Sequence, residues 1–246
     1  KRGLKFVNIP TTLLAQVDSS IGGKTGVNTH HGKNLIGSFY QPKIVISDLE
    51  FLNSLKKREM ICGYGEILKH SLISSKSFFY FLNKNLINIL RKDSNYIQKA
   101  IYESCLIKKK VVEKDEKEKN IRKVLNLGHT FAHAYEASLK YSKKLNHGEA
   151  VLLGIHTAIK FSFKMKLLNY KEFILITKHI EKSGLPSNAK HYFSSKDINK
   201  IISFMTKDKK NISSKINLVL LKKIGHPIID KTYTKNVIKN FLKKII

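Results

Sequence analysis

Apolar residues recur at helical spacing through most of the chain after residue 55, whereas the first 50 residues hold short β-like runs separated by glycine-rich loops. The helical spacing predicts helices over 75–91, 96–117, 122–140, 149–168, 170–183 and 233–246, with Gly128 interrupting the third. Short apolar runs predict strands over 4–9, 43–49 and 216–221, and Gly225 with Pro227 predicts a turn. The pattern therefore predicts strands and loops followed by a mainly helical part, without internal repeats.

The 246-residue chain is long enough for one large domain or two small ones, and its 42% of hydrophobic residues can form a packed core. A run of about 18 uncharged apolar residues is absent, so we expect no membrane span. The first residues lack the apolar segment of a secretory signal, and two cysteines cannot make a disulfide framework. We therefore expect a cytoplasmic protein with reduced thiols. Because residue 1 is Lys rather than Met, we also expect a fragment or a processed product.

The charge is strongly positive, since 46 Lys and Arg residues against 18 Asp and Glu residues give a net charge of +28. A charge of this size raises the question of nucleic-acid binding. However, the lysines are scattered, and arginine, which makes bidentate contacts with bases and phosphates, is scarce. We attribute the charge mainly to a general enrichment in Lys, Ile and Asn and expect no nucleic-acid partner. Attraction of anionic small molecules is the remaining alternative.

Three short motifs carry residues that can bind a metal ion. His129 and His133 stand four apart, which puts both on one face of a helix, and His147 precedes an apolar helix. Glu66 and Lys69 stand three apart, as neighbours on one helical turn. Each motif has an ordinary alternative: a hydrated helix face, a polar residue at a helix start, and a surface ion pair. One carboxylate with two histidines would leave positions open for substrate oxygens, as in a catalytic metal site.

A glycine-rich turn lies within residues 17–26 and contains Gly-Gly-Lys-Thr at 22–25. This turn resembles part of a P-loop, but Asp18 occupies the position of the first glycine of that motif, which excludes a nucleoside triphosphatase of this type. A glycine-rich turn with a lysine can still hold a phosphate through backbone N–H groups and a point charge. Lys33 follows in the same region, so the two lysines indicate an anionic ligand.

Five segments together resemble the motifs of 3-dehydroquinate synthases, in the same order and almost from end to end. They are 10–25 (PTTLLAQVDSSIGGKT), 32–37 (GKNLIG), 65–69 (GEILK), 126–133 (NLGHTFAH) and 147–150 (HGEA). The resemblance implies the remnant of an α/β NAD-binding domain over 1–55 and a mainly α-helical metal- and substrate-binding domain over 56–246. It also implies conversion of 3-deoxy-D-arabino-heptulosonate 7-phosphate into 3-dehydroquinate and phosphate. This step of the shikimate pathway uses transient oxidation by NAD, phosphate elimination, re-reduction and aldol closure.

The resemblance further implies roles for individual positions. One divalent metal ion, zinc or cobalt, would be bound by Glu66, His129 and His147. The catalytic positions would be His133, Glu118, Lys69 and Asp18. The sugar-phosphate substrate would contact Lys24, Asn34, Lys108, Arg122, Asn126, one of Lys209 and Lys210, and Arg2, the last reaching across a homodimer. The NAD-contacting positions would be Thr11, Thr12, Lys24, Lys33, Phe51, Leu52, Asn53 and Ser54.

The family has a further N-terminal part with a glycine-rich NAD-binding segment, and no G-x-G-x-x-G motif after a strand replaces it here. We therefore expect the chain alone to be weakly active or inactive and the full-length protein to be active. The nearest alternatives are other sugar-phosphate cyclases and metal-dependent alcohol or glycerol dehydrogenases. Lys108 with Arg122 favours an acidic sugar phosphate over the substrates of other cyclases. The dehydrogenases need none of the lysines and asparagine that would bind phosphate. A nucleic-acid-binding module and a catalytically inactive scaffold are weaker alternatives, because every matched position carries a competent residue.

Overall fold

The computed structural model describes residues 3–30, 32–182, 184–207 and 215–246, without the side chains of 28, 32–35 and 207. The first part of the chain forms two small sheets. Strand β1 (Val7–Asn8) pairs in parallel with β4 (Ile44–Val45), and β2 (Lys24–Thr29) pairs with β3 (Gly32–Phe39) as an antiparallel hairpin. The predicted strands over 4–9 and 43–49 are therefore confirmed, although each is shorter than its apolar run.

The loop between β1 and β2 contains an element that the glycine-rich pattern did not predict. Residues Ala15–Ser19 form a π-helix, closed by a hydrogen bond from the Ser20 N–H to the Ala15 carbonyl at 3.1 Å. A single π turn is frequent at functional sites. This one carries Asp18. A short 3-10 helix over Glu50–Ser54 then leads into the helical part.

Helices make up most of the chain after residue 56. They are α1 (Lys57–Ser74), α2 (Lys76–Leu90), α3 (Ser94–Lys114), α4 (His129–Ser138), α5 (His147–Lys164), α6 (Tyr170–Lys182), α7 (Ile198–Lys207) and α8 (Lys235–Ile245). A 3-10 helix over Ile121–Asn126 precedes α4, and Gly128 separates the two as predicted. The predicted helices are confirmed within a few residues, whereas α7 was missed. Among the described helices, none has both the length and the apolar character needed to cross a bilayer.

An antiparallel hairpin of β5 (Lys215–Lys223) and β6 (His226–Thr234) packs against the helices. The strand predicted over 216–221 is confirmed, and the turn falls at residues 224–225. The sequence pattern did not predict β6, because polar residues interrupt its apolar positions. Pro227 lies inside β6 rather than in the turn. Proline is tolerated there because β6 pairs with β5 alone in the described sheets and so forms an edge.

One hydrophobic core joins the two parts of the chain, with α5 buried on nearly every side at its centre. Leu13 and Val17 from the first loop and Leu52 from the 3-10 helix belong to this core. The strand-and-loop part is therefore packed directly onto the helices. This packing fixes the glycine-rich loop relative to α1 and α3.

The crossing of α1 and α5 depends on Gly148. A Cβ at this position would lie 2.3 Å from Cys62 Cα and 2.4 Å from the Cys62 carbonyl oxygen. Backbone atoms cannot yield by that much in a close-packed interior, so only glycine allows this approach. As a result, the first turn of α5 lies against the middle of α1, which carries Glu66.

A buried histidine links α1, α2 and α6. Tyr64 donates its O–H to His179 Nε2 at 2.8 Å, and His179 donates its Nδ1–H to Asn83 Oδ1 at 3.0 Å. His179 is 3% exposed, and burial lowers its pKa from 6.5 to about 4. The neutral ring satisfies both partners, whereas a proton on Nε2 would make Tyr64 the acceptor and deprive its buried O–H of His179 as acceptor.

This network predicts a loss of stability in mild acid. Because the pKa of His179 is lower in the folded chain than in the unfolded one, its contribution is complete above pH 6.5 and is lost as the pH falls toward 4. For this one group the free energy of unfolding should fall by about 2 kcal/mol between pH 7 and pH 5. Urea unfolding at both pH values measures the fall in the wild type and in His179→Gln. The fall should be smaller in the variant, and equal falls would contradict the assignment.

Candidate metal centre

Three side chains that are distant in the sequence meet at one point. Glu66 comes from α1, His129 from the start of α4 and His147 from the start of α5, and one ligand atom of each lies within 4.8 Å of the other two. His129 Nε2 lies 3.5 Å from Glu66 Oε1, and the two imidazole centroids are 6.1 Å apart. One carboxylate and two imidazoles at this spacing match the ligand set of a catalytic zinc-type site.

The state of Glu66 fits a bound cation. Its carboxylate is fully buried, and neither oxygen has a hydrogen-bond partner among the described residues. Lys69 forms an ion pair with Oε2 from the next turn of the same helix. Burial opposes ionisation, but the Lys69 ammonium and the His129 imidazole outweigh it and hold the pKa of Glu66 well below its usual range. Lys69 pairs with Oε2, so Oε1, which lies 3.5 Å from His129 Nε2, is the oxygen placed to bind a divalent ion.

Gly128 sets the direction of α4 and hence the position of His129. Its φ of +81° is in the left-handed region, and a Cβ there would lie 2.5 Å from the Ile155 nitrogen of α5. The chain can therefore turn sharply between the 3-10 helix and α4 while touching α5. This turn places His129 at the first residue of α4, with its Nδ1 3.3 Å from the Leu127 carbonyl and its Nε2 toward Glu66.

A third imidazole lies beside the two candidate ligands. The His133 ring centroid is 5.5 Å from that of His129 and 6.2 Å from that of His147. His133 is exposed, whereas the carboxylate of Glu66 is buried. The exposed ring is therefore accessible to a ligand that approaches the site from solvent.

A second group of ligand atoms, from Asp18, Glu66 and His70, also lies within 4.8 Å. Lysines already balance its charge, because Lys108 forms an ion pair with Asp18 as Lys69 does with Glu66. Burial and the charge of Glu66 oppose ionisation of Asp18, but Lys108 and Lys69 outweigh them and lower its pKa. We therefore regard this group as ion-paired residues that line the site rather than as a second metal site.

Two predicted site residues converge on the carboxylate of a third, Glu118, at the edge of the site. Lys24 of β2 forms an ion pair with Glu118, and Asn126 donates its Nδ2–H to Glu118 Oε1 at 2.6 Å. Glu118 follows α3 and has a φ of +55°, an uncommon conformation for a residue other than glycine. The hairpin and the turn after α3 are thus joined at the positions that the sequence assigns to phosphate binding and proton transfer.

The Arg122 guanidinium donates to main-chain carbonyls rather than to a side chain. It is 2% exposed, and its Nη2 donates to the Gly22 carbonyl at 3.0 Å while its Nη1 donates to the Glu116 carbonyl. Its Nε has no partner among the described residues. The guanidinium therefore ties the glycine-rich turn to the segment after α3. Lys108, the other residue predicted to hold the substrate carboxylate, is buried beside Asp18.

The loop that carries Thr11 and Thr12 is held by a residue that sequence reasoning missed. The buried Gln16 donates its Nε2 to the Pro10 carbonyl at 3.4 Å and to the Asp48 carbonyl at 2.7 Å. Thr12 Oγ1 accepts a hydrogen bond from the Ala15 N–H at 3.1 Å, and Thr11 is exposed. The loop at 10–16 and the segment at 48 therefore lie side by side, although no local pattern indicated it.

The predicted NAD-contacting segment at 51–54 has three exposed side chains and one buried side chain. Phe51, Asn53 and Ser54 are exposed, whereas Leu52 is 1% exposed and packs in the core. The side chain of Leu52 therefore supports the segment, and only its main chain is available to a ligand. Arg2, Lys209 and Lys210 lie outside the described residues, as do the side chains of Lys33 and Asn34.

An unpredicted ion pair fixes the start of α5. Arg58 Nε and Nη2 each donate to one oxygen of Glu149 at 2.7 Å, and Nη2 also donates to the Lys143 carbonyl at 2.8 Å. Glu149 further accepts a hydrogen bond from the Asn146 N–H at 2.8 Å, a capping-box contact. The Asn-x-x-Glu spacing at 146–149 could have revealed the cap, but nothing local indicates Arg58. Together these contacts hold the backbone at His147.

The ring of His147 also has a charged neighbour that the sequence did not indicate. Its Nδ1 lies 3.0 Å from Glu136 Oε2 of α4. Burial opposes protonation of this ring, but the hydrogen bond with Glu136 and the charges of Glu136, Glu66 and Asp18 raise the pKa of His147 above its ordinary value. Protons and a metal ion therefore compete for this side chain.

Protein-family models and individual relatives match most of this chain. The family models described as 3-dehydroquinate synthase N-terminal and 3-dehydroquinate synthase C-terminal match residues 1–62 and 63–211. The chain is 67% identical over 244 residues to the 3-dehydroquinate synthase of Pelagibacter ubique (strain HTCC1062). That match covers 99% of this chain and 66% of the relative, so the chain spans about two thirds of the relative's length.

Solved structures show the fold. A 2-epi-5-epi-valiolone synthase from Streptomyces hygroscopicus subsp. jinggangensis 5008, with NAD+ and Zn2+ bound, has a TM-score of 0.86 at 22% identity, covering 98% of this chain and 66% of its own. A 2-deoxy-scyllo-inosose synthase complexed with carbaglucose-6-phosphate, NAD+ and Co2+ has a TM-score of 0.80 at 24% identity, covering 100% of this chain and 68% of its own. The predicted fold class is thereby confirmed. The predicted resemblance is confirmed as well, and the chain belongs to the 3-dehydroquinate synthase family.

Proposed function

We propose that the protein containing this chain is a 3-dehydroquinate synthase, a lyase that converts 3-deoxy-D-arabino-heptulosonate 7-phosphate into 3-dehydroquinate and phosphate. The observation that carries the proposal is the meeting of Glu66, His129 and His147 beside two ion pairs, Glu66 with Lys69 and Asp18 with Lys108. The 67% identity to a 3-dehydroquinate synthase supports this substrate over those of other sugar-phosphate cyclases.

One set of site residues would bind a metal ion, and a second set would bind NAD. Glu66, His129 and His147 would hold one zinc or cobalt ion, the metals bound in the two structural relatives. A divalent ion held there would supply polarisation of the substrate hydroxyls, and NAD would supply reversible hydride transfer. The positions proposed to hold NAD are Thr11, Thr12, Lys24, Lys33, Phe51, Leu52, Asn53 and Ser54.

The remaining residues bind the substrate and move protons. Lys108 and Arg122 would hold the substrate carboxylate, since both are cations fixed in a buried setting. His133 has an exposed imidazole beside the metal ligands and would transfer a proton during phosphate elimination, with Glu118 as a second acid–base group. Asp18, Lys69 and Asn126 would contact substrate hydroxyls. The proposed phosphate ligands are Lys24, Asn34 and one of Lys209 and Lys210.

The organisation of the whole protein forms part of the proposal. Residues 1–55 would complete an NAD-binding α/β domain and residues 56–246 would form the metal- and substrate-binding domain. The protein would act in the cytoplasm as a homodimer, in which Arg2 reaches the neighbouring site. Light scattering of the intact protein would test the dimer.

The ligand assignment predicts that His129→Ala removes bound metal. Loss of one of three protein ligands should lower Co2+ or Zn2+ affinity by at least about tenfold. Elemental analysis after dialysis measures metal per chain, and titration with Co2+ measures affinity. His133→Ala is the matched control, because it removes an imidazole from the same face of α4 but outside the ligand triad and should leave metal content unchanged. Stoichiometric metal in His129→Ala would refute the assignment.

The proposed reaction predicts phosphate release that depends on metal and NAD. The intact gene product should release phosphate from 3-deoxy-D-arabino-heptulosonate 7-phosphate, as measured by a coupled phosphate assay. A chelator should abolish release, and added Zn2+ or Co2+ should restore it, because the ion polarises the reacting hydroxyls. Release that is unaffected by the chelator, or absent with both metal and NAD supplied, would contradict the proposed function.

The carboxylate assignment predicts a substrate-specific effect of Arg122→Ala. Loss of a charge-assisted partner should lower kcat/KM by about 10- to 100-fold. Because Arg122 also holds the Gly22 and Glu116 carbonyls, a general loosening must be separated from a lost substrate contact. The ratio of kcat/KM for the acid to that for its carboxamide analogue makes this separation, and it should fall in the variant. The exposed Arg91 supplies the control, Arg91→Ala, which should behave as wild type. An unchanged ratio in Arg122→Ala would remove Arg122 from the pocket.

A further inference from the structure

A buried carboxylate contacts Nδ1 of the His147 ring. Glu136 lies on α4, seven residues after His129 and therefore on the same face of that helix. It is 5% exposed, and its Oε2 lies 3.0 Å from His147 Nδ1. Two consecutive helices thus supply one metal-ligand imidazole each, and α4 also supplies the group that contacts the second imidazole.

This contact determines which nitrogen of His147 can face a cation. A carboxylate accepts hydrogen bonds, so Nδ1 of the neutral ring carries the proton and donates it to Glu136. The lone pair is then on Nε2, the only nitrogen left to bind a metal. A neutral ring with the proton on Nε2 would present a donor to the ion and could not bind it.

The two histidine ligands are supported differently. His129 Nδ1 faces a main-chain carbonyl, that of Leu127, at 3.3 Å. His147 Nδ1 faces a full negative charge at a shorter distance. A carboxylate behind an imidazole orients the ring and makes its free nitrogen a better ligand.

The main chain and the ring of His147 are fixed by separate contacts. Arg58 with Glu149 and the capping contact to Asn146 hold the backbone where α5 begins. They leave rotation of the imidazole about its side-chain bonds unrestrained. The contact with Glu136 restrains that rotation. Both are needed to hold a ligand atom within a few tenths of an ångström.

We propose that Glu136 is a positioning residue that holds His147 in the orientation and tautomer required for metal binding. The proposal rests on the proposed function, because it assumes that Glu66, His129 and His147 bind a divalent ion. Glu136 contacts His147 and is assigned no contact with substrate. Its removal should therefore act on the metal affinity first and on turnover only as a consequence.

The first experiment measures Co2+ binding to the 246-residue chain by absorbance and Zn2+ binding by competition with a chromophoric chelator. Glu136→Gln keeps the shape but removes the charge and should weaken both affinities by about tenfold. Glu136→Leu removes the acceptor altogether and should weaken them further and alter the Co2+ spectrum. The matched control is Glu172→Gln, which neutralises another buried, ion-paired carboxylate on α6, paired with Lys76. This control should leave the affinities unchanged.

The second experiment needs no variant and therefore does not depend on whether a variant folds. Nitrogen-15 NMR of the metal-free wild-type chain with labelled histidine reports which nitrogen of neutral His147 carries the proton. The proposal requires Nδ1–H, and a ring with the proton on Nε2 would overturn it. Failure of the wild-type chain to bind Co2+ or Zn2+ would overturn the metal site itself and this proposal with it. Normal binding by the wild type and equal binding by Glu136→Gln and Glu136→Leu would overturn the role of Glu136 alone.

Discussion

The pairing of two carboxylates with two ammonium groups, one pair buried and the other at the edge of the core, is the interaction on which the site depends. Glu66 with Lys69 on α1, and Asp18 of the π-helix with Lys108 of α3, bring four charges together in and beside the core. An unpaired charge in this position would cost several kcal/mol, so each pair fixes how its elements pack. The lysines balance the carboxylates, yet the Glu66 oxygens keep free coordination capacity toward His129 and His147. The same arrangement therefore stabilises the interior and places a carboxylate oxygen beside two imidazoles at its edge.

The sequence predicted which residues form the site better than it predicted how the fold brings them together. The periodic apolar residues of α2, α3 and α5 revealed those helices, because burial on one or more faces leaves a strong local pattern. Glu66, His129 and His147 were separately ambiguous, each with an ordinary structural explanation. Only the order of five motifs identified them as one set, since spacing along a chain does not state which turns meet in space.

Other parts could not be predicted because their causes are not local. Gln16 is an unremarkable polar residue until the Pro10 and Asp48 carbonyls come within its reach. Arg58 and Glu149 are distant in sequence and become partners only when α1 crosses α5 at a glycine. Strand β6 was hidden by its interrupted apolar pattern and by Pro227, which an edge strand tolerates.

The origin of the three ligands on α1, α4 and α5 has a consequence for the folding equilibrium. An ion held by all three would add a bridge between helices that otherwise meet through apolar packing and a few polar contacts, and it would have no comparable site in the unfolded chain. By mass action, the folded population would then grow with the concentration of free ion. The same chain would be more resistant to heat and proteases in a zinc-replete cell than in a starved one, so that metal supply would set its abundance as well as its chemistry.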